Sequence, residues 1–238
     1  MQRFKKGYNM ENTIEFTKDL QKRVLGSGQN GTCYLTSDGQ VFKRIYKPQI
    51  VEGNISSTVG LYNKTYVFPK KLVTFESAII GYIMDYVDGI ELRYLNNEIS
   101  LRDYINALKI AEYDIAAISS LGIYSFDVKV DNMFYTKDNR FKVVDTDLFC
   151  KVKKNRELYN INMGNFSHSV MSPIFNMYSS RFKSRHLENK RGDLIEGKIP
   201  SSKYIQILLK YMKIRESEDI SIKDFSNELK LLLYNRPL

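Results

Sequence analysis

The sequence predicts an α+β fold: a β-rich first half holding one helix, then a mostly helical second half. Three observations carry that expectation. Up to about residue 88, short apolar or alternating runs are separated by Gly and Asp, the pattern of strands joined by tight turns. From Leu101 the apolar residues recur at three and four instead. Two more helix-like stretches fill the C-terminal region, so strands and helices are segregated along the chain rather than alternating. The 238 residues suit one large domain or two small lobes and suffice for a sizeable core; the change of pattern divides them into 1–88 and 89–238, near Asp88-Gly89.

Lys22 to Leu25, Thr32 to Thr36 and Gln40 to Tyr46 read as strands, and in the Ser37-Asp38-Gly39-Gln40 turn Gly39 supplies a positive φ. After Pro48, Gln49 to Tyr66 is weakly helical. Leu72 to Phe75 and Ala78 to Val87 read as two more strands, the second apolar enough to be central in a sheet. Leu101, Tyr104, Ile105, Leu108, Ala111, Ile115 and Ile118 line one face of a helix that stops near Leu121-Gly122. Ile123 to Tyr135 and Phe141 to Phe149 are short strand-and-loop segments around the Lys137-Asp138-Asn139-Arg140 turn. Helices are expected over Ser202 to Ile214 and Ile222 to Tyr234, the latter N-capped by Ser221.

Composition excludes several classes. Hydrophobic residues at 43% and charged residues at 26% are ordinary for a globular protein, which removes disordered and collagenous readings. Cys33 and Cys150 are too few for a disulfide framework and too far apart for a zinc site, so a reducing cytoplasm is the simplest expectation. The first residues have no apolar h-region, and Ser77 to Met84, the longest nearly uncharged stretch, is far too short to span a bilayer; secretion and membrane insertion are disfavoured. A net charge of +9 raises nucleic acid, a membrane surface or an anionic substrate as partners. Nucleic acid is the weak member of that set, because no recognition motif of that class is present.

Gly26-Ser27-Gly28-Gln29-Asn30-Gly31 lies between two strand candidates, and glycines so spaced let backbone N–H groups approach phosphates; a hairpin loop with convenient glycines is the bland alternative. A dinucleotide fingerprint requires a helix directly after the last Gly, whereas Thr32-Cys33-Tyr34-Leu35 is β-prone. The next strand ends in Val41-Phe42-Lys43, with Lys43 17 residues from Gly26. After the secure helix stands Ser125-Phe126-Asp127-Val128-Lys129-Val130-Asp131-Asn132, and 13 residues beyond Asn132 the strand Phe141-Lys142-Val143-Val144 delivers Asp145-Thr146-Asp147.

These four ordered motifs resemble those of the protein-kinase-like phosphotransferases over roughly Val24 to Phe149: the Gly-rich hairpin, the strand lysine, a catalytic loop matching H-R-D-L-K-x-x-N at its Asp, Lys and Asn, and a metal-binding triplet. Ile83 to Gly89 resembles the hinge that binds adenine through backbone groups, with Met84 in the gatekeeper place. The resemblance implies a bilobal fold with ATP and Mg²⁺ in the cleft. Gly26, Ser27, Gly28, Gly31, Cys33, Val41, Met84, Asp85 and Val87 then surround the nucleotide, and Lys43 meets the α and β phosphates. Asp127 orients the acceptor hydroxyl and Lys129 steadies the γ-phosphate. Asn132 and Asp145 supply the oxygen ligands that Mg²⁺ prefers, and Asp147 is either a third ligand or a loop cap. Glu52 is the better of two candidates, with Glu76, for the helix glutamate that pairs with Lys43; its alternative is an ordinary solvated carboxylate.

Departures from the family pattern bear on the acceptor. Ser125 and Phe126 replace the His and Arg of the catalytic loop, which argues against switching by loop phosphorylation. Thr146 and Asp147 replace the Phe and Gly of the triplet, and no A-P-E follows. The leading expectation is a Ser/Thr protein kinase; the rivals are a small-molecule kinase acting on antibiotics or sugars, and a pseudokinase serving as a binding module. Cys33 reads as a small apolar group over the adenine rather than a reactive thiol, and His168 and His186 read as surface or satisfied polar residues. The +9 concentrates between Lys151 and Arg191, where Lys151, Lys153, Lys154, Arg156, Arg181, Lys183, Arg185, Lys190 and Arg191 face only Glu157 and Glu188. This is either a solvated basic surface or an attractor for an acidic acceptor.

Overall fold

The computed structural model describes residues 12–95, 98–153, 155, 157–215 and 218–233. The fold is α+β, with a six-stranded N-terminal sheet and a mostly helical C-terminal part. The sheet comprises β1 (Thr13–Glu15), β2 (Arg23–Ser27), β3 (Gly31–Leu35), β4 (Val41–Ile45), β5 (Lys71–Phe75) and β6 (Ala78–Met84), in the order β1-β5-β6-β4-β3-β2. All neighbours are antiparallel except β1, which lies parallel to β5. β1 is a strand that the sequence does not announce, because three residues are too few to display an alternation. β6 is interior as expected, but ends at Met84 rather than Val87. Gly39 has φ +81°, as its turn requires.

Strand alternation gives the sheet two apolar faces. Phe42, Val73 and Ile83 form the core of one, while Val41, Ile45, Tyr82 and Met84 face α1 (Pro48–Thr58) through its Val51 and Ile55. Pro48 opens α1 within its first turn, where its missing N–H is harmless. The helix is shorter than Gln49 to Tyr66. Gly60 takes φ +78°, and Asn63 Oδ1 accepts the backbone N–H of Thr65 and Tyr66 at 2.8 and 2.9 Å, an Asx turn that turns the chain out of helix.

In the C-terminal part, β7 (Gly89–Glu91), β9 (Met133–Thr136) and β10 (Phe141–Val143) form a small antiparallel sheet in the order β10-β9-β7, and β8 (Ile123–Tyr124) pairs with β11 (Cys150–Lys151). The central helix α2 (Leu101–Ser120) buries every residue of the predicted stripe, and Gly122 at φ +78° ends it. Tyr104 and Leu108 of α2 share one core with Phe141, Phe166, Tyr204, Leu208 and Phe225, each side chain contributing about 1.5–3 kcal/mol by leaving water.

Four more helices complete the fold: α3 (Leu158–Val170), α4 (Arg185–Ile195), α5 (Ser201–Met212) and α6 (Ile222–Lys230). α5 and α6 were expected, though both end short of Ile214 and Tyr234; Lys213 leaves α5 in the left-handed region, and Tyr234 lies outside the described residues. Ser221 caps α6 as expected, accepting the Asp224 N–H at 3.1 Å. α3 and α4 are not evident from periodicity because polar residues occupy their inner faces: Asn162, Ser167 and Ser169 in α3, and Arg191 between Leu187 and Leu194 in α4. Among the described residues no helix is long and apolar enough to cross a membrane.

Candidate active site

Lys43 sits in mid-β4, side by side with Cys33 of β3 and Tyr82 of β6 in the sheet register, on the face shared with Val41 and Ile45. It is 4% exposed, and a buried ammonium requires anionic partners. Asp147 Oδ2 lies 2.7 Å from Nζ and Asp145 Oδ1 also contacts it. Burial alone would push the Lys43 ammonium down; Asp147 and Asp145 outweigh it and hold Lys43 above its ordinary value. Burial likewise pushes Asp145 up, but Lys43 keeps it below the usual carboxylate range. Asp147, more deeply enclosed, is pushed up to about 6 by burial against the pull of Lys43, with Asp145 as a like charge beside it.

Backbone contacts set the height of this pair. Val143 N–H donates to Thr65 O and Val67 N–H to Val143 O, and the Thr146 hydroxyl donates to Val67 O at 3.0 Å, which ties the Asp145–Asp147 turn to the segment after α1. Val144 N–H donates to Asn132 O at 2.8 Å, coupling the turn to the loop before β9. In that loop Lys129 Nζ lies 2.8 Å from Asp127 Oδ2 and Asn132 Nδ2 donates to Asp127 O at 3.2 Å. Asp127 and Asp145 both have left-handed backbones, φ +62° and +60°, a conformation that Asp tolerates better than most residues and that recurs at functional sites. The loop is fastened from below by α3: Asn162 Oδ1 accepts from Ser125, Asn165 donates to Ser125 O and Ser169 to Val128 O.

The predicted nucleotide-side residues fall into distinct groups. Val41, Met84 and Tyr82 form an apolar cluster against which Cys33, Val87 and Val144 pack half-buried. Burial pushes the Cys33 thiol up, so it stays protonated, in keeping with a packing role. Asp85 is exposed and paired with Lys70 at 2.5 Å; its backbone and those of Tyr86 and Val87 make no hydrogen bond among the described residues, which leaves donors and acceptors for a planar ligand edge. Gly26 and Gly28 have open space where a Cβ would be, whereas a Cβ on Gly31 would meet Arg44 O at 2.2 Å, so Gly31 is required by strand packing. The Ser27 hydroxyl is engaged with Thr32 at 3.0 Å. Glu52 is not brought to Lys43: it lies off the Val51–Ile55 face of α1 and makes no ion pair among the described residues.

Among the described residues no cluster of three His, Cys, Asp or Glu side chains forms a metal cage. Asp145 and Asn132 nevertheless carry oxygen donors of the kind a magnesium ion takes when it shares its shell with phosphate and water. The Asp145 side chain is 31% exposed toward solvent, and the Asn132 amide nitrogen is committed to Asp127 O, leaving Oδ1 as its ligand atom. Four residues of the basic segment are engaged in holding the chain together. Arg191 donates to Met177 O and Glu188, Arg181 to Tyr178 O and Ser180 O, Lys183 to Leu231 O, and Lys190 pairs with Asp193; Lys154 and Arg156 lie outside the described residues.

Three contributors were not anticipated: Asn162, Tyr82 and Val144. Val144 could have been found from its place just before Asp145; Asn162 and Tyr82 have no sequence signal, because only tertiary contacts give them a role. No protein-family model matches the chain, and no curated protein matches it significantly.

Proposed function

We propose that this chain is an ATP- and Mg²⁺-dependent phosphotransferase of the protein-kinase-like bilobal fold. The observation that carries the reading is the meeting of Lys43 with Asp145, 102 residues apart in sequence, beside a loop that holds Asp127, Lys129 and Asn132. Phosphoryl transfer asks for little covalent chemistry from a protein and much positioning of charge. Lys43 neutralises the α and β phosphates, and the Cys33–Val41–Met84–Val87 cluster takes the base. Asp145 and Asn132 would hold a magnesium ion, which would neutralise charge on the phosphate oxygens. Asp127 orients the acceptor hydroxyl and receives its proton, and Lys129 steadies the transferred group.

The acceptor reading begins from a protein Ser or Thr hydroxyl, on the strength of the motif resemblance. A small hydroxyl-bearing acceptor is favoured by one specific observation. Only residues 148–157 join Asp147 to α3, and part of that link is pinned as β11 to β8, with Val152 N–H donating to Gly122 O at 2.8 Å. That leaves little chain to cradle an extended peptide.

Calorimetry with ADP and Mg²⁺, followed by labelled ATP against a protein panel and a panel of sugars and aminoglycosides, tests the reading. Transfer to either panel that disappears in D127N supports it and chooses the acceptor. Nucleotide binding without transfer makes the chain a binding module, and no binding at millimolar nucleotide removes the enzyme.

A further inference from the structure

We propose that Asp147 is the positioning residue that holds Lys43, so that the metal falls to Asp145 and Asn132 and Glu52 has no part in the site. The inference rests on the phosphotransferase reading and departs from the two roles that the sequence left open for Asp147.

Geometry separates the two carboxylates. Asp147 has a 0% exposed side chain and lies 2.7 Å from Lys43 Nζ, whose own side chain is 5% exposed. Asp145 reaches the same ammonium from the open side, at 31% exposure. A magnesium ion shared with phosphates keeps several water and phosphate ligands, and so needs a carboxylate that faces the cleft. Asp145 meets that condition; Asp147 lies in the interior beside α1. A lysine that must point at phosphates from inside a sheet needs a fixed counter-charge behind it, and among the described residues only Asp147 is both enclosed and in contact.

Asp147 Oδ1 and the hydroxyl of Tyr82 are among the buried atoms that have no hydrogen-bond partner among the described residues. Tyr82 is the direct cross-strand neighbour of Lys43, and Asp147 is the charge that acts most strongly on its phenol. The anchor for Lys43 is thus the pair of carboxylates Asp147 and Asp145, with Tyr82 beside it in the sheet register. Helix α1 adds Val51 and Ile55 to the adjoining apolar cluster, and its Glu52 makes no ion pair among the described residues.

The test is ADP affinity by calorimetry in EDTA and in excess Mg²⁺, for wild type, D147N, D145N and E52Q. D147N weakens metal-free binding by about tenfold or more, the scale for removing the charged partner of a buried cation, and keeps the wild-type ratio between the two affinities. D145N collapses that ratio, and E52Q matches wild type throughout. In turnover, D147N raises KM for ATP more than it lowers kcat. Should D147N be too unstable to purify, K43M/D147N replaces it: with the lysine gone, the second substitution alters neither the metal-free affinity nor the ratio seen in K43M.

A D147N that keeps metal-free affinity but loses the Mg²⁺ gain, or a K43M/D147N with less Mg²⁺ gain than K43M, makes Asp147 a metal ligand and overturns the inference. So does an E52Q as weak as D147N. A wild type that binds no ADP removes the phosphotransferase reading and this inference with it, whereas a binding wild type with an unaltered D147N removes the inference alone.

Discussion

Asn162 Oδ1 accepts two hydrogen bonds from Ser125, one from the backbone N–H and one from the hydroxyl, each at 2.9 Å. Its amide nitrogen donates to Ser119 Oγ at 2.9 Å and Ile123 O at 2.8 Å, so a single buried side chain ties α2, β8 and the loop of Asp127 to α3. Ser125 precedes Asp127 by two residues. The position of Asp127 is therefore set from the core of the helical part.

Replacing Asn162 by Leu strands the Ser125 N–H and the Ile123 carbonyl in the interior. A loss of about 2–4 kcal/mol in urea unfolding is expected, together with a fall in kcat at unchanged KM for ATP, because Lys43 and the apolar cluster are held by other elements. Equal losses in both kinetic constants would show that Asn162 supports the whole cleft.

Substitution of Asp127 separates chemistry from folding. D127N keeps a residue suited to φ +62° and is expected to lower kcat by about 10²–10⁴-fold with ADP affinity unchanged, whereas D127A adds an instability of about 1 kcal/mol from the left-handed backbone. Calorimetry and thermal denaturation of the two variants check both halves.

The three hairpin glycines divide by role. G31A drives a Cβ into Arg44 O and is expected to cost about 2 kcal/mol or more of stability, while G26A and G28A, with open space at the Cβ position, leave the melting temperature unchanged and weaken nucleotide binding. A G26A or G28A variant with full nucleotide affinity would reduce the hairpin to a structural turn.

Glu188 gives the acid limb of the stability curve a definite sign. Its carboxyl is held below the ordinary 4.5 first by its hydrogen bond to Arg191, so its folded value lies under its unfolded one. Its stabilisation is thus complete above about pH 4.5 and is lost as pH falls through the depressed folded value. E188Q is expected to show a flatter fall of the urea midpoint between neutral and acid pH than wild type.

The legible and illegible parts of this molecule divide on whether a signal is local. α2 can be read because its buried stripe is wholly apolar, and the Gly39 turn because positive φ selects glycine. α3 cannot, since Asn162, Ser167 and Ser169 occupy its buried positions and make it read as loop. At the site, the order Lys43, Asp127, Asn132, Asp145 is legible as spacing. Which carboxylate stands behind Lys43 is decided by a tertiary contact with Asp147, 104 residues away, for which the sequence has no local signal. The sequence favours Glu52 over Glu76 only because Glu76 reads as part of a strand. In the basic segment, likewise, counting charges cannot tell that Arg191 is buried against Glu188.

The hydroxyl of Thr146 and the carbonyl of Val67 are both enclosed. Swinging the Asp145–Asp147 turn out of the cleft would strand a donor and an acceptor at about 1–3 kcal/mol each, so the displaced form is a small minority of the population. Under the proposed function, a nucleotide is thus expected to meet a turn already in place, and stopped-flow binding is expected to show a single phase linear in concentration.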